Sequence, residues 1–351
     1  QWLITGFCIK QIRTGVNSFS TSPITLTQSS GSVPSTTIDA RFTPLAYIRY
    51  SGSIACASVG AGTQYAVVSG TGGIKSVASG NWSSGSTWDG GVAPTSAENV
   101  YIASAFPVTI DDGSAACNSI DFDPAGTSAL LVMGSSSSVL SVYGDFTLGN
   151  TTQMVFSGSW PAGAKIKFAG SAPIQLLSGW NTSTTNSGGF MEMQVDKSAG
   201  KVTTSTFNMK LTIGASLEII NGTFEMNASD DIFGRDLAGT ATTPTITVQS
   251  GGVFTIAAGA TQINSGTTNP SASYNPIGKM TIYGTAELVT TSTSKLNFGG
   301  IDVENGGILR LLSGWTNPNG VAGGSVVIKS GGTLRYSSTS TQIWDNANVS
   351  V

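Results

Sequence analysis

An all-β fold is expected from this sequence, a right-handed parallel β-helix with a smaller N-terminal β region. Three observations carry the expectation: the composition, a strand–glycine–strand corner that recurs along the chain, and a duplicated loop entry. The 351 residues would be long for one compact domain, but a solenoid escapes that limit because its core grows along one axis. Ser and Thr supply roughly a quarter of the chain and glycine 45 residues, while hydrophobic residues still reach 39%. A disordered linker would be poorer in Val, Ile, Leu and Phe, so these numbers describe β-branched strands joined by small polar turns.

The corner recurs at Leu211–Ile220, Ile246–Ile256, Met280–Val289, Ile301–Leu311 and Val326–Tyr336. Its template is apolar, any, apolar, turn residues, Gly, small, apolar, any, apolar. Period-two alternation sends one set of side chains inward, so each line gives two half-buried strands meeting at a bend. Glycine is expected there for a left-handed backbone or a bend without a Cβ clash. The spacing lies in the window of roughly 20–50 residues that signals stacked repeats, and a β-sandwich has no reason to repeat one corner five times.

The duplicated entry is Gln175-Leu-Leu-Ser-Gly-Trp180 and Arg310-Leu-Leu-Ser-Gly-Trp315. Trp180 and Trp315 either pack a loop on the outside of the coil or offer platforms for stacking sugars, and the first use of an aromatic face is the commoner.

Two parts follow from the change of pattern: residues 1–80, an N-terminal β region or arm, and residues 81–351, the β-helix. The first part holds a Ser/Thr-rich tract, Thr14 to Thr37, and an alternating run, Ala46 to Tyr50. It suits a cap, a separate β-sandwich, or an arm that lends a strand to a neighbouring molecule.

Between the parts lies the most distinctive stretch, Asn81-Trp82, Thr87-Trp88-Asp-Gly-Gly-Val-Ala-Pro94, Glu98-Asn99-Val100-Tyr-Ile102, followed by Cys117-Asn-Ser-Ile-Asp-Phe122. In physical terms Trp82 and Trp88 are suited to cover the open end of the first coil. Pro94 lacks an amide donor and suits an edge, and Val100 and Ile102 begin the inward row. A ligand site between the two Trp rings is the alternative use. The stretch resembles the entry motif of large secreted or cell-surface parallel β-helix proteins of Bacteroidetes-type bacteria. That resemblance implies a secreted, cell-surface location and an adhesin-like or matrix role, often within a larger multidomain chain.

The absence of histidine removes the commonest general base and metal ligand. With a net charge of −3 there is no basic field for nucleic acid. The apolar run from Trp2 to Ile9 is too short to span a bilayer. Cys8 and Cys56 are near enough in sequence to form one disulfide in the N-terminal region, though geometry must decide.

Parallel β-helices also host polysaccharide lyases and glycoside hydrolases, so outward carboxylates need weighing. Asp121 and Asp123 flank inward Phe122, and Asp302 and Glu304 flank inward Val303. Stacked on neighbours they are weak candidates for binding Ca²⁺ or for dividing acid and base work. The simpler use is solvated charge that discourages sideways sheet association. No cofactor is otherwise expected.

The function expected is therefore structural or adhesive: an extracellular, filament- or sheath-forming subunit assembling through the solenoid ends and the N-terminal arm, with copies of itself, other surface proteins or glycans as partners. A carbohydrate-binding module and a polysaccharide-degrading enzyme are the alternatives.

Overall fold

The structure is a computed structural model, and it describes residues 2–5, 9–14, 25–26, 30, 36–42, 49–58, 61–125, 131–148, 161, 163–178, 190–205, 208–227, 231–234, 245–256, 262–263, 278–289, 295–296, 300–313, 325–336 and 348–350. Among the described residues the only helix is a 3-10 turn at Gly85–Thr87. The Ser/Thr tract and the alternating run ahead of Arg49 fall largely outside the described residues, as do Trp180, Trp315 and Cys8.

The N-terminal region contains five described strands: β1 (Trp2–Thr5), β2 (Ile9–Thr14), β3 (Ile38–Phe42), β4 (Arg49–Ser58) and β5 (Ala61–Thr71). β1, β4 and β5 form one antiparallel sheet with β4 in the middle, and β2 pairs with β3 antiparallel. Cys56, on β4, is a free thiol among the described residues, and the partner expected for it, Cys8, lies outside them.

The rest is a parallel β-helix. One inward row passes through Ala115, Leu140, Ile166, Met193, Leu217, Ile246, Met280, Ile301 and Val326, each paired in register with the next. All nine are buried. Steps along the row range from 21 residues, Met280 to Ile301, to 34 residues, Ile246 to Met280, so coil length varies while register does not.

A second inward row starts earlier, with Ile74, Val100, Ile120, Phe146 and Leu177 in register. The ladder therefore begins at Ile74, ahead of the boundary expected at residue 81. A single isoleucine behind Gly72 and Gly73 is too short a run to show a period. A third face is built from Gly80–Asn81, Val108–Ile110 and Leu131–Met133. Aromatic rings meet inside the coil: the Phe146 ring lies 5.7 Å from Phe122 and 6.1 Å from Phe168, which belong to other rows, whereas Phe224 stacks on its register partner Phe254 at 6.1 Å.

The corner glycines are required for two different reasons. Gly222, Gly306 and Gly331 have φ of +80°, +82° and +83°, the left-handed backbone that disfavours a side chain. Gly252, Gly284 and Gly307 do not; a Cβ on them would run into the carbonyl oxygens of Ile219, Gln249 and Ile282 respectively, on the preceding coil. In these the limit is the spacing of stacked strands, about 4.8 Å.

One polar pair is enclosed at a corner. Lys197 is 1% exposed, its Nζ donates to Gln175 Oε1 at 3.2 Å, and Gln175 Nε2 donates to the Val142 carbonyl at 2.8 Å. Among the described residues no carboxylate reaches Lys197, and burial pushes its pKa down.

This packing sets the outcome of two sets of substitutions. Gly307→Ala should cost about 2–3 kcal/mol through its clash, and Gly306→Ala, which has nothing within 4 Å of the new Cβ, about 1 kcal/mol through backbone strain alone. Denaturant titration measures both, and equal losses would contradict the close-approach account. Because the folded pKa of Lys197 lies below its unfolded value, protonation of the unfolded chain lowers stability as pH falls from about 10.4 through the folded pKa. Lys197→Met combined with Gln175→Leu should then stabilise the protein by about 1–3 kcal/mol at neutral pH, with the gain shrinking as the pH approaches about 10.4. A gain that is absent, or that does not depend on pH, would refute it.

Candidate functional site

At the N-terminal end of the ladder the chain leaves Asn81 and folds back over its own first coil. Trp88 bridges Ser76 antiparallel, and Val77 N donates to the Thr87 carbonyl at 2.9 Å. Trp82 and Trp88 are each 2% exposed and meet edge to face with ring centroids 5.0 Å apart. Trp88 Nε1 donates to the Trp82 carbonyl at 2.8 Å. The rings fill each other's contact surface, so they do not frame a ligand slot between them.

The rest of the distinctive stretch supports this turn. Thr87 Oγ1 donates to the Asn81 carbonyl at 2.8 Å, and Ser83 is held by Asp111 through its amide (3.1 Å) and its hydroxyl (2.5 Å). Pro94 is buried. Glu98 closes its turn by accepting from the Thr95 amide at 2.8 Å and hydroxyl at 2.6 Å. Asn118 Nδ2 donates to Asn99 Oδ1 at 2.8 Å, and Ser119 Oγ accepts from Asp145 N at 2.9 Å, so Asn118 and Ser119 tie one corner to the coils on either side. Cys117 is inward and fully buried, which raises the pKa of its thiol.

The outward carboxylates are distributed rather than gathered. Asp121 pairs in register with Tyr101 and Thr147 near the start of the ladder, whereas Asp302 pairs with Thr281 and Val327 far along it, on a different face. Asp123 accepts from the amides of Ala125 (3.0 Å) and Ser104 (3.4 Å), and these bonds, the Ala125 one foremost, hold its pKa below the usual range. It is a turn-closing residue. Tyr101 beside it has a raised pKa, chiefly from burial and then from Asp123. Lys75 lies over the Tyr101 ring at 5.6 Å.

Asp302 and Glu304 belong to a chain of ion pairs. Lys279 reaches Asp302 at 2.5 Å from the preceding coil; Lys329, from the following one, reaches Glu304 at 2.5 Å and Asp302 at 3.5 Å. Comparable links join Lys167 to Asp196 (2.6 Å), Lys201 to Glu225 (2.6 Å) and Arg310 to Glu287 (2.5 Å). Asp196 also accepts from Asn221, and Glu218 from both Gln194 and Gln249. The contact with Lys167, ahead of that with Asn221, holds the Asp196 pKa down. Among the described residues no group of three or more His, Cys, Asp or Glu side chains is gathered as a metal site would need.

Sequence reasoning missed the coil-to-coil partners of these charges, because the partner lies about one coil away and coil length varies. It also missed the exposure of β5. Residues 62–67 are exposed on both faces of the sheet, with Tyr65 at 64% and Val67 at 83%. Among the described residues no helix is long and apolar enough to cross a membrane. Comparison of the chain with protein-family models, curated proteins and solved structures gave no match.

The two tryptophans should respond differently to substitution. Both Trp→Phe changes remove similar volume, but Trp82 Nε1 is buried without a hydrogen-bond partner among the described residues, whereas Trp88 Nε1 is bonded. Trp88→Phe should therefore be the less stable variant by about 1 kcal/mol. Thermal unfolding of the two decides, and the reverse order would contradict the hydrogen-bond assignment.

Proposed function

We propose that this chain is an extracellular structural or adhesive protein, a subunit that assembles with copies of itself or with other surface proteins. The observation that carries this reading is the use of the outward charges. Asp196, Glu225, Glu287, Asp302 and Glu304 are each engaged by a Lys or Arg of a neighbouring coil, an arrangement that joins coils along the solenoid. Surface pairs of this kind contribute little singly, about 0–1 kcal/mol, and more where one carboxylate is buried and shared between two cations, as Asp302 is. A surface on which each of these carboxylates is held by a cation of an adjacent coil favours a structural scaffold over one that leaves a pair of carboxyl groups free to act on a glycoside.

The exported location rests on the composition and on the resemblance of the entry motif to surface β-helix proteins. Electron microscopy of the purified chain, together with retention on protein- and glycan-coated surfaces, tests the proposal. Linked rods or specific retention are expected. Solitary rods at every concentration with no retention would overturn it, as would release of reducing ends from a polysaccharide panel.

A further inference from the structure

We infer that the free edge of β5 is a self-association site, pairing antiparallel with β5 of a second copy so that two three-stranded sheets become one continuous sheet. This rests on the assembly reading above and deepens it by naming the contact. β5 is the outer strand of the sheet β1–β4–β5, with its second side unpaired among the described residues. It runs for 11 residues, Ala61-Gly-Thr-Gln-Tyr-Ala-Val-Val-Ser-Gly-Thr71, about twice the usual strand length.

Proteins normally protect such an edge with charged residues, Pro, a bulge or a covering element. β5 contains no charged residue and no proline. Its one irregularity against β4 lies at the near end, between Ala61 and Gln64; from Gln64 to Thr71 the strand pairs residue for residue with Cys56 to Arg49. Nothing among the described residues covers it either, since residues 62–67 are exposed whichever face they occupy. A partner strand can therefore approach in the plane of the sheet without displacing a described segment.

The strand's own residues point to a second copy as the occupant, and charge does not oppose it. The chain as a whole carries a net charge of −3, which opposes like-with-like contact, but β5 is uncharged over its whole length. In an antiparallel pair related by a two-fold axis the strand meets its own sequence reversed, so Tyr65 and Val67, alternate residues of one face, would lie against the same two residues of the other copy. Aromatic and β-branched residues are the favoured cross-strand partners. Two identical neutral strands thus meet with apolar contact and no like-charge cost.

The test uses the full chain. Light scattering should give twice the mass of one chain as concentration rises, and hydrogen exchange of residues 61–71 should slow over the same range. Val67→Lys, at a side chain 83% exposed, should leave the circular dichroism unchanged and restore the single-chain mass. A wild-type chain that stays single, or exchange in β5 that is independent of concentration, would overturn the inference; slow exchange at every concentration would do so by showing that another segment of the same chain covers the edge. If Val67→Lys assembles as the wild type does, β5 is not the contact while the assembly reading stands. If the wild type pairs through β5 but forms no linked rods and binds no surface, the pairing stands and the structural or adhesive reading fails.

Discussion

The stacking of one coil on the next, in register and about 4.8 Å apart, is the constraint on which the other features depend. It brings chemically similar residues into rows, so that Phe254 follows Phe224 and isoleucine follows methionine or leucine in the row from Ala115 to Val326. It also leaves no room at the corners. Where the strands bend, the carbonyls of one coil approach the Cα atoms of the next, and Gly252, Gly284 and Gly307 occupy positions where a single added carbon would collide. Coil length varies between the rows without disturbing them, because only the paired strands must keep register.

The same constraint explains what was legible in the sequence. Inward rows follow from period-two alternation, which needs only a few residues to register, so Ile246 to Ile256 and Ile301 to Leu311 could be read as strand, corner, strand. The need for glycine was legible, but only half its cause. A left-handed backbone is a local property, whereas the approach of Ile282 to Gly307 involves residues far apart in sequence. Lys197 was not legible as buried, since a lysine after Asp196 has the appearance of a turn residue. Its enclosure depends on Gln175, a residue of the coil before it.

The carboxylates show the same limit. Asp302 and Glu304 alternate with Val303, and that much is local. What the sequence could not supply was Lys279 and Lys329 on either side, and those two cations join Asp302 and Glu304 to the coils before and after them. For Asp121 and Asp123 the local reading went further, because Asp123 is satisfied within its own turn by Ala125 and, one strand away, by Ser104.

Two neighbouring segments, one on each side of the junction between the N-terminal region and the β-helix, treat exposed strand in opposite ways. At the start of the ladder the chain commits two tryptophans, a buried proline and the Asp111–Ser83 contact to folding a loop across the first coil, and both indoles are almost entirely removed from water. A few residues earlier, β5 leaves Tyr65 and Val67 in solvent along a charge-free edge. Burying apolar surface stabilises by about 25 cal/mol per Å², so a tyrosine and a valine left outside forgo a gain that the neighbouring segment takes in full. That difference is accounted for if the edge of β5 is covered in the assembled protein by an identical strand, with the apolar side chains of the two copies supplying the burial that a single chain lacks.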